Sequence, residues 1–456
     1  MTIKELTSAY KSGSLTPSEH IKTLLKKIDE TSDYRYFVYI AANEALRAAE
    51  EADARYKEGR PLSAVDGIPY GLKDLVFTKD MPTTLGSAAW QGYMAPEDAE
   101  IVRILKDAGA VCMGKLNMQE RAFGAAGDVS YIGYAKNPYD KSKVCGGSSS
   151  GSAGAVALGL LSFSISTDTG GSGRIPASIC GVMGMKPTHG RISIRGVYPV
   201  CEELDHVGIM SSCAEDNAAV LSVLAGYDPK DPFCRDVPAD DDYGSKIGED
   251  IRGLKACVPR KYFSGCCQEG VLSLYMECEK RLKSLGLDIT DIDLPTDFDA
   301  YRPLHQALLL GNAYANNEEE IKSHPELFGE GLIGRFLSGD QPVSKYINAL
   351  HTREKFRNIW RDLMKNFDVM ILPALPAVAV EPFAPGVIIN GKLEATAPTY
   401  THFLWFSDYS GFPSMSVPMG LSEGLPAGFQ IIAKEWGEAT VYKVAHVLEL
   451  LCREDK

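Results

Sequence analysis

Apolar residues recur at helix and strand periods in alternation along the whole chain. Thr16-Pro17-Ser18-Glu19 reads as a capping box with proline at the first helical position. Ile21, Leu24, Leu25 and Ile28 then follow at i, i+3, i+4 and i+7, which predicts an amphipathic helix. The Ala/Glu-rich stretch over about 42–56 predicts a second helix by propensity. A short strand is expected over 68–74, a helix over 97–108 with Gly109 as its C-cap, and a buried strand over 111–115. The same pattern predicts helices over 215–225, 268–285 and 343–366, and strands over 254–259 and 369–373. Near the C-terminus PSMSVPMG and AGFQIIA read as two strands, and 438–451 as a closing helix. Such alternation places the chain in the α/β class. It predicts a single large α/β/α layered domain over 1–456, with a central mixed β-sheet covered by helices on both faces. The N-terminal helices, about 1–60, are expected to pack on its core. Two stretches rich in Pro, Gly and Asp, about 227–250 and 376–400, read as long surface loops.

Composition narrows the partners. Against 47 Lys and Arg stand 60 Asp and Glu, a net charge of −13. An acidic surface argues against nucleic acid and anionic membranes, both of which need clustered cations. No run of 18 apolar residues occurs, so no membrane span is expected. The segment MTIKELTSAYKSG has no apolar stretch of export-signal type. The 11 cysteines include no C-x-x-C pair and read as reduced thiols, so a cytoplasmic location is expected. With no H-E-x-x-H and no histidine pair at i, i+4, neither a metal nor another cofactor is expected.

Residues 146–190, GGSSSGSAGAVALGLLSFSISTDTGGSGRIPASICGVMGMKPTHG, break the ordinary pattern. A Gly/Ser-rich turn opens a helix of small residues, a strand follows, and a second Gly-rich turn runs from Asp168 to Arg174. Small residues let backbones approach closely, and a turn of this kind presents free N–H groups to an anion. A phosphate-binding loop would need G-x-x-x-x-G-K-[ST], and no lysine stands in the required place.

This block resembles the signature of the amidase signature family of serine amide hydrolases, through the run TDTGGSGRIPA and the tail GMKPTHGR. GIPYGLKD at 67–74, GKLNMQERAFG at 114–124, LDHVGIM at 204–210 and the closing GFPSMSVPMG…GLPAGFQIIA are similar to further segments of that family. The resemblance implies a Ser–Ser–Lys triad: Lys73 as base, Ser148 as the middle serine after a cis Gly147–Ser148 bond, and Ser172 as nucleophile. It also implies an oxyanion hole from the backbone N–H groups of Thr169, Gly170, Gly171 and Ser172. Asp168 and Arg174 are expected to pair and brace the turn, with Ser149 as a supporting hydrogen-bond donor.

Lysine can act as a base only when neutral. Its pKa, ordinarily near 10.4, must fall by about three units, worth ~4 kcal/mol, and burial supplies such a shift. Ile68, Tyr70 and Leu72 give Lys73 apolar neighbours, and strand alternation points Asp74 to the opposite face. Departures from the family pattern flank the site: Ser150 where glycine is frequent, Gly173 where a branched aliphatic is frequent, and Arg121 where an aromatic or aliphatic residue is usual. Facing the pocket beside Ala122, Arg121 would bind a carboxylate-bearing substrate. The activity implied is hydrolysis of a small carboxamide through an acyl-enzyme, with a homodimer as the expected assembly. The alternative is the glutaminase component of a glutamyl-tRNA(Gln) amidotransferase, working within a multisubunit complex.

Overall fold

The computed structural model describes residues 1–240, 242–329 and 331–453. In chain order the strands are β1 (Phe37–Ile40), β2 (Pro69–Lys73), β3 (Val111–Leu116), β4 (Phe163–Asp168), β5 (Met183–Lys186), β6 (His206–Ser211) and β7 (Lys255–Val258). They continue as β8 (Asp288–Asp291), β9 (Val369–Pro373), β10 (Val387–Ile389), β11 (Lys392–Glu394), β12 (Ser414–Ser422) and β13 (Leu425–Ala433). Among the described residues eleven of them form one sheet in the order β1-β3-β2-β4-β6-β5-β12-β13-β9-β7-β8. Pairing is parallel for β2 with β3 and β4, and for β7 with β8 and β9, and antiparallel elsewhere, so the sheet is mixed.

Helices cover both faces, each over its own apolar cluster. On β6, Val207 and Ile209 join one cluster with the helix Ala214–Leu224, while Met210 turns to the other with Ile21, Leu24 and Ile28. This is the period-two alternation of a strand buried on both sides. The first long helix is Pro17–Glu30, opened by the expected box: the Glu19 amide donates to Thr16 Oγ1 at 3.2 Å, and the Thr16 amide to Glu19 Oε2 at 3.0 Å. An earlier helix, Ile3–Ser12, has its own capping box at Thr2 and Glu5. The apolar stripes of both helices are consumed within the chain, since Ile3, Leu6, Tyr10, Ile21, Leu24 and Ile28 are all buried.

The stretch 376–400 differs from the loop its composition suggests. It holds the β10–β11 hairpin and the start of the helix Thr396–Thr401, and Ala377, Val378, Ala379 and Tyr400 are buried. Proline and glycine mark turns there between short elements, which periodicity over so few residues does not resolve. No helix among the described residues is long and apolar enough to cross a membrane.

Candidate active site

The site is built where the middle of the sheet meets the two Gly-rich turns. Lys73 ends β2, which lies between β3 and β4, so its side chain is covered on all sides and wholly buried. Its Nζ lies 2.7 Å from Ser148 Oγ and 2.8 Å from Thr167 Oγ1 on the neighbouring β4. Burial lowers the Lys73 amine to about 7, against the opposing pull of the Asp168 and Asp205 charges. A neutral amine donates to Thr167 and keeps a lone pair for the Ser148 hydroxyl. Asp74 does turn away. It pairs with Lys115 at 3.2 Å and accepts from the Thr84 amide at 3.0 Å, so among the described residues Lys73 is in no ion pair with a carboxylate.

Ser148 follows a cis peptide bond from Gly147, and the small-residue helix Ser150–Ala157 starts two residues later. That helix must be small because it touches backbone and ring. A Cβ on Gly154 would lie 2.2 Å from the Tyr36 ring, and one on Gly151 would lie 2.5 Å from the Tyr36 carbonyl oxygen. The Ser149 amide donates to the Ser172 carbonyl at 3.3 Å and its hydroxyl to the Thr167 carbonyl at 3.3 Å, tying the two turns together.

The second turn is held from behind by Asp168. Its carboxylate takes the Gly171, Gly173 and Arg174 amides at 2.6, 3.1 and 3.2 Å, and the Arg174 guanidinium in a two-pronged pair at 2.8 and 2.9 Å. Burial alone would raise the Asp168 carboxyl, but the Arg174 charge reverses this and holds it well below the usual carboxylate range. Arg174 reaches on to Asp408 at 2.8 Å and Gln430 at 2.9 Å. This bracing corrects one expectation. The Gly171 N–H is spent on Asp168, so it is not a donor for substrate; among the described residues the Thr169, Gly170 and Ser172 amides have no protein acceptor and remain open. Gly171 itself has φ of 115°, and a Cβ there would lie 2.5 Å from Leu404 Cδ1, so only glycine fits.

Ser172 opens onto a cavity of about 260 Å³, together with Ala122, Thr169, Gly170, His305 and Trp405. Among the described residues its hydroxyl has no hydrogen-bond partner. Burial lowers His305 to about 4, so it faces the cavity uncharged. His189 and His206, both buried, have ring nitrogens engaged by the carbonyls of Glu202 and Leu204, at 3.0 and 2.6 Å. Neither reaches Ser172 as a base.

Arg121 does not face the cavity. It is buried, its guanidinium 2.7 Å from both Asn317 Oδ1 and Glu320 Oε1 and 4.3 Å from the Phe328 ring. Consecutive positive φ values at Arg121 and Ala122, 51° and 57°, reverse the direction that a strand or helix period would assign. Ala122 does line the cavity.

Two supporting residues are outside the expected set. Thr167 is the second partner of the Lys73 amine. Asp205 accepts from Thr169 Oγ1 at 2.6 Å and from the Val200 and Cys201 amides, fixing Thr169 at the start of the second Gly-rich turn. Both carry polar side chains at or beside β-strand ends near the quoted motifs, a signal too common to single them out. No group of three or more metal-binding side chains occurs among the described residues.

The family model described as Amidase matches residues 19–442. The chain belongs to that family. It is 34% identical to the A component of the Glutamyl-tRNA(Gln) amidotransferase of Staphylococcus epidermidis, over 98% of this chain and 96% of that relative. Among solved structures it is similar to the peptide amidase of Stenotrophomonas maltophilia, at 28% identity and TM-score 0.85, over 99% of this chain and 97% of the other. It is also similar, at 29% identity and TM-score 0.94 over 99% and 98%, to a chain described with an unexpected vestigial protein complex that reveals the evolutionary origins of an s-triazine catabolic enzyme. The amidase assignment makes the chain an enzyme acting on carbon–nitrogen amide bonds.

Proposed function

We propose that this amidase hydrolyses a small carboxamide through an acyl-enzyme on Ser172. The observation that carries the reading is the buried Lys73 amine, lowered to about 7 and 2.7 Å from the Ser148 hydroxyl. Lys73 takes the Ser148 proton as Ser148 takes that of Ser172, and Ser172 Oγ bonds to the amide carbon. The carbonyl π electrons move to its oxygen, which accepts from the Thr169, Gly170 and Ser172 amides. Collapse breaks the C–N bond, and the proton returns through Ser148 to the leaving nitrogen. Water then repeats the sequence on the ester. The cavity, about 260 Å³, lies below the range of drug-sized sites and suits a small substrate.

The test is a turnover screen over aliphatic, aromatic, ureido and amino-acid amides, with intact-mass detection of the acyl-enzyme. Ser172→Ala is expected to remove both turnover and the mass increment. Turnover that survives it refutes the reading. A second reading, the glutaminase component of an amidotransferase, is favoured by the Staphylococcus epidermidis relative. It requires ammonia release from glutamine that rises when partner proteins are added, and co-purification with them.

A further inference from the structure

Two cysteines that the proposed chemistry does not use meet on neighbouring helices. Cys278 lies on the helix Glu269–Ser284, and Cys452 near the C-terminal end of the helix Glu438–Arg453. Their sulfurs stand 3.9 Å apart, although 174 positions separate them in sequence. Cys278 is buried, and Cys452 is partly open to solvent. Arg281, one turn beyond Cys278, donates to the Leu451 carbonyl at 3.1 Å, so the two helices are already tied beside the sulfurs. The Cys452 sulfur, and then burial, hold the Cys278 proton well above the usual thiol range, against the Arg281 charge. Of the two, Cys278 therefore keeps its proton, and Cys452 is the sulfur that a dissolved reagent meets first.

We infer that Cys278 and Cys452 form a cross-linking site, which a low-molecular-weight disulfide closes into a bond that fastens the helix Glu438–Arg453 to the helix Glu269–Ser284. The Cys452 thiolate attacks one sulfur of the small disulfide; a mixed disulfide forms, the old S–S bond breaks, and one small thiolate leaves with the electron pair. Cys278 then gives its proton to solvent and attacks the Cys452 sulfur that it already touches, displacing nothing of the protein and leaving the S–S bond between the two cysteines. The second small thiol departs from the other sulfur's former partner, so the cysteines lose two electrons and two protons, and the reagent is reduced to two thiols. The bond is about 2.0 Å long, so the sulfurs must close by roughly 1.9 Å. Helix ends give more readily than helix middles, and Cys452 lies beyond the turns that Val441, Tyr442, Val444, Ala445 and Leu448 bury. Closing so long a loop narrows the unfolded ensemble, so the linked chain melts at a higher temperature. Both helices lie on β12, whose Ser414 hydroxyl accepts from Arg174 at 3.4 Å, so the link tightens the layer behind the second Gly-rich turn. Neither cysteine takes part in the chemistry proposed at Ser172, and the site stands apart from that reading.

The probe is glutathione disulfide, added to the full-length enzyme. Peptide mapping of the alkylated, unreduced protein is expected to show the Cys278 and Cys452 peptides joined, lighter by two hydrogens than their sum. Cys278→Ala should stop at the first exchange, with one glutathione held on Cys452, and Cys452→Ala should leave Cys278 unmodified. The linked enzyme is expected to melt about 5 °C above the reduced one, a rise that dithiothreitol reverses and that neither alanine variant shows. Mapping of the unsubstituted enzyme decides the matter even where an alanine variant fails to fold. Absence of the bond, glutathione that stays on Cys452 while Cys278 is intact, closure of Cys266 with Cys267 in its place, or a melt left unchanged or lowered overturns the inference.

Discussion

In the proposed mechanism Lys73 links activity and stability with opposite signs. Its amine is lowered from 10.5 to about 7 in the folded chain, so between those values the unfolded state holds one more proton. Stability therefore rises with pH through that window by ~1.4 kcal/mol per unit, and the lysine costs stability at neutral pH and below. Lys73→Met is expected to abolish turnover and raise the unfolding temperature at pH 7. The upper bound on the gain is ~5 kcal/mol, less what the lost contacts to Ser148 and Thr167 cost. Thermal unfolding at pH 7 and 10 checks this, since the gain should shrink at the higher pH. For the unsubstituted enzyme, kcat/KM should fall about tenfold per pH unit below about 7 and level off above it, the profile of one group that must be neutral. The closeness of Lys73 and Ser148 could be anticipated because both sit, with Ser172, in a motif of fixed spacing. The roles of Thr167 and Asp205 could not, because nothing in a lone threonine or aspartate tells a hydrogen bond to a turn from exposure to water. Arg121 misled because chemistry was readable at that position and direction was not; two left-handed residues in succession decide direction there.

At the scale of elements, the helix Ser150–Ala157 and the turn after β4 explain their own composition. Gly154→Val would drive a branched side chain into the Tyr36 ring, and a loss of about 1–3 kcal/mol is expected in urea unfolding. Arg174→Met strands the Asp168 and Asp408 carboxylates in a dry interior, with an expected loss of about 3–5 kcal/mol and of the turn geometry with it. Long periodic helices and the β12–β13 pair were predictable to within a few residues. Short pieces such as β8 and the β10–β11 hairpin were not, since three or four residues do not establish a period.

For the whole molecule, sequence order and sheet order part company. Strands β12 and β13, near the end of the chain, occupy the middle of the sheet between β5 and β9. Arg174 closes on Asp408 and Gln430 across more than 230 residues. A chain ended before residue 404 would lack these strands and these partners. Its expression is expected to give insoluble protein with no cooperative melt, where the full chain melts as one unit. The α/β class followed from alternation, but strand order did not, because a pattern of buried and exposed positions carries no record of which neighbour a strand will choose. One more consequence comes from where the cavity gets its parts. The proposed reacting groups lie within residues 73–172, whereas about half of the cavity's lining comes from residues 302–405. Divergence within residues 302–405 can therefore redraw which molecules are accepted while the proposed reacting groups are left untouched.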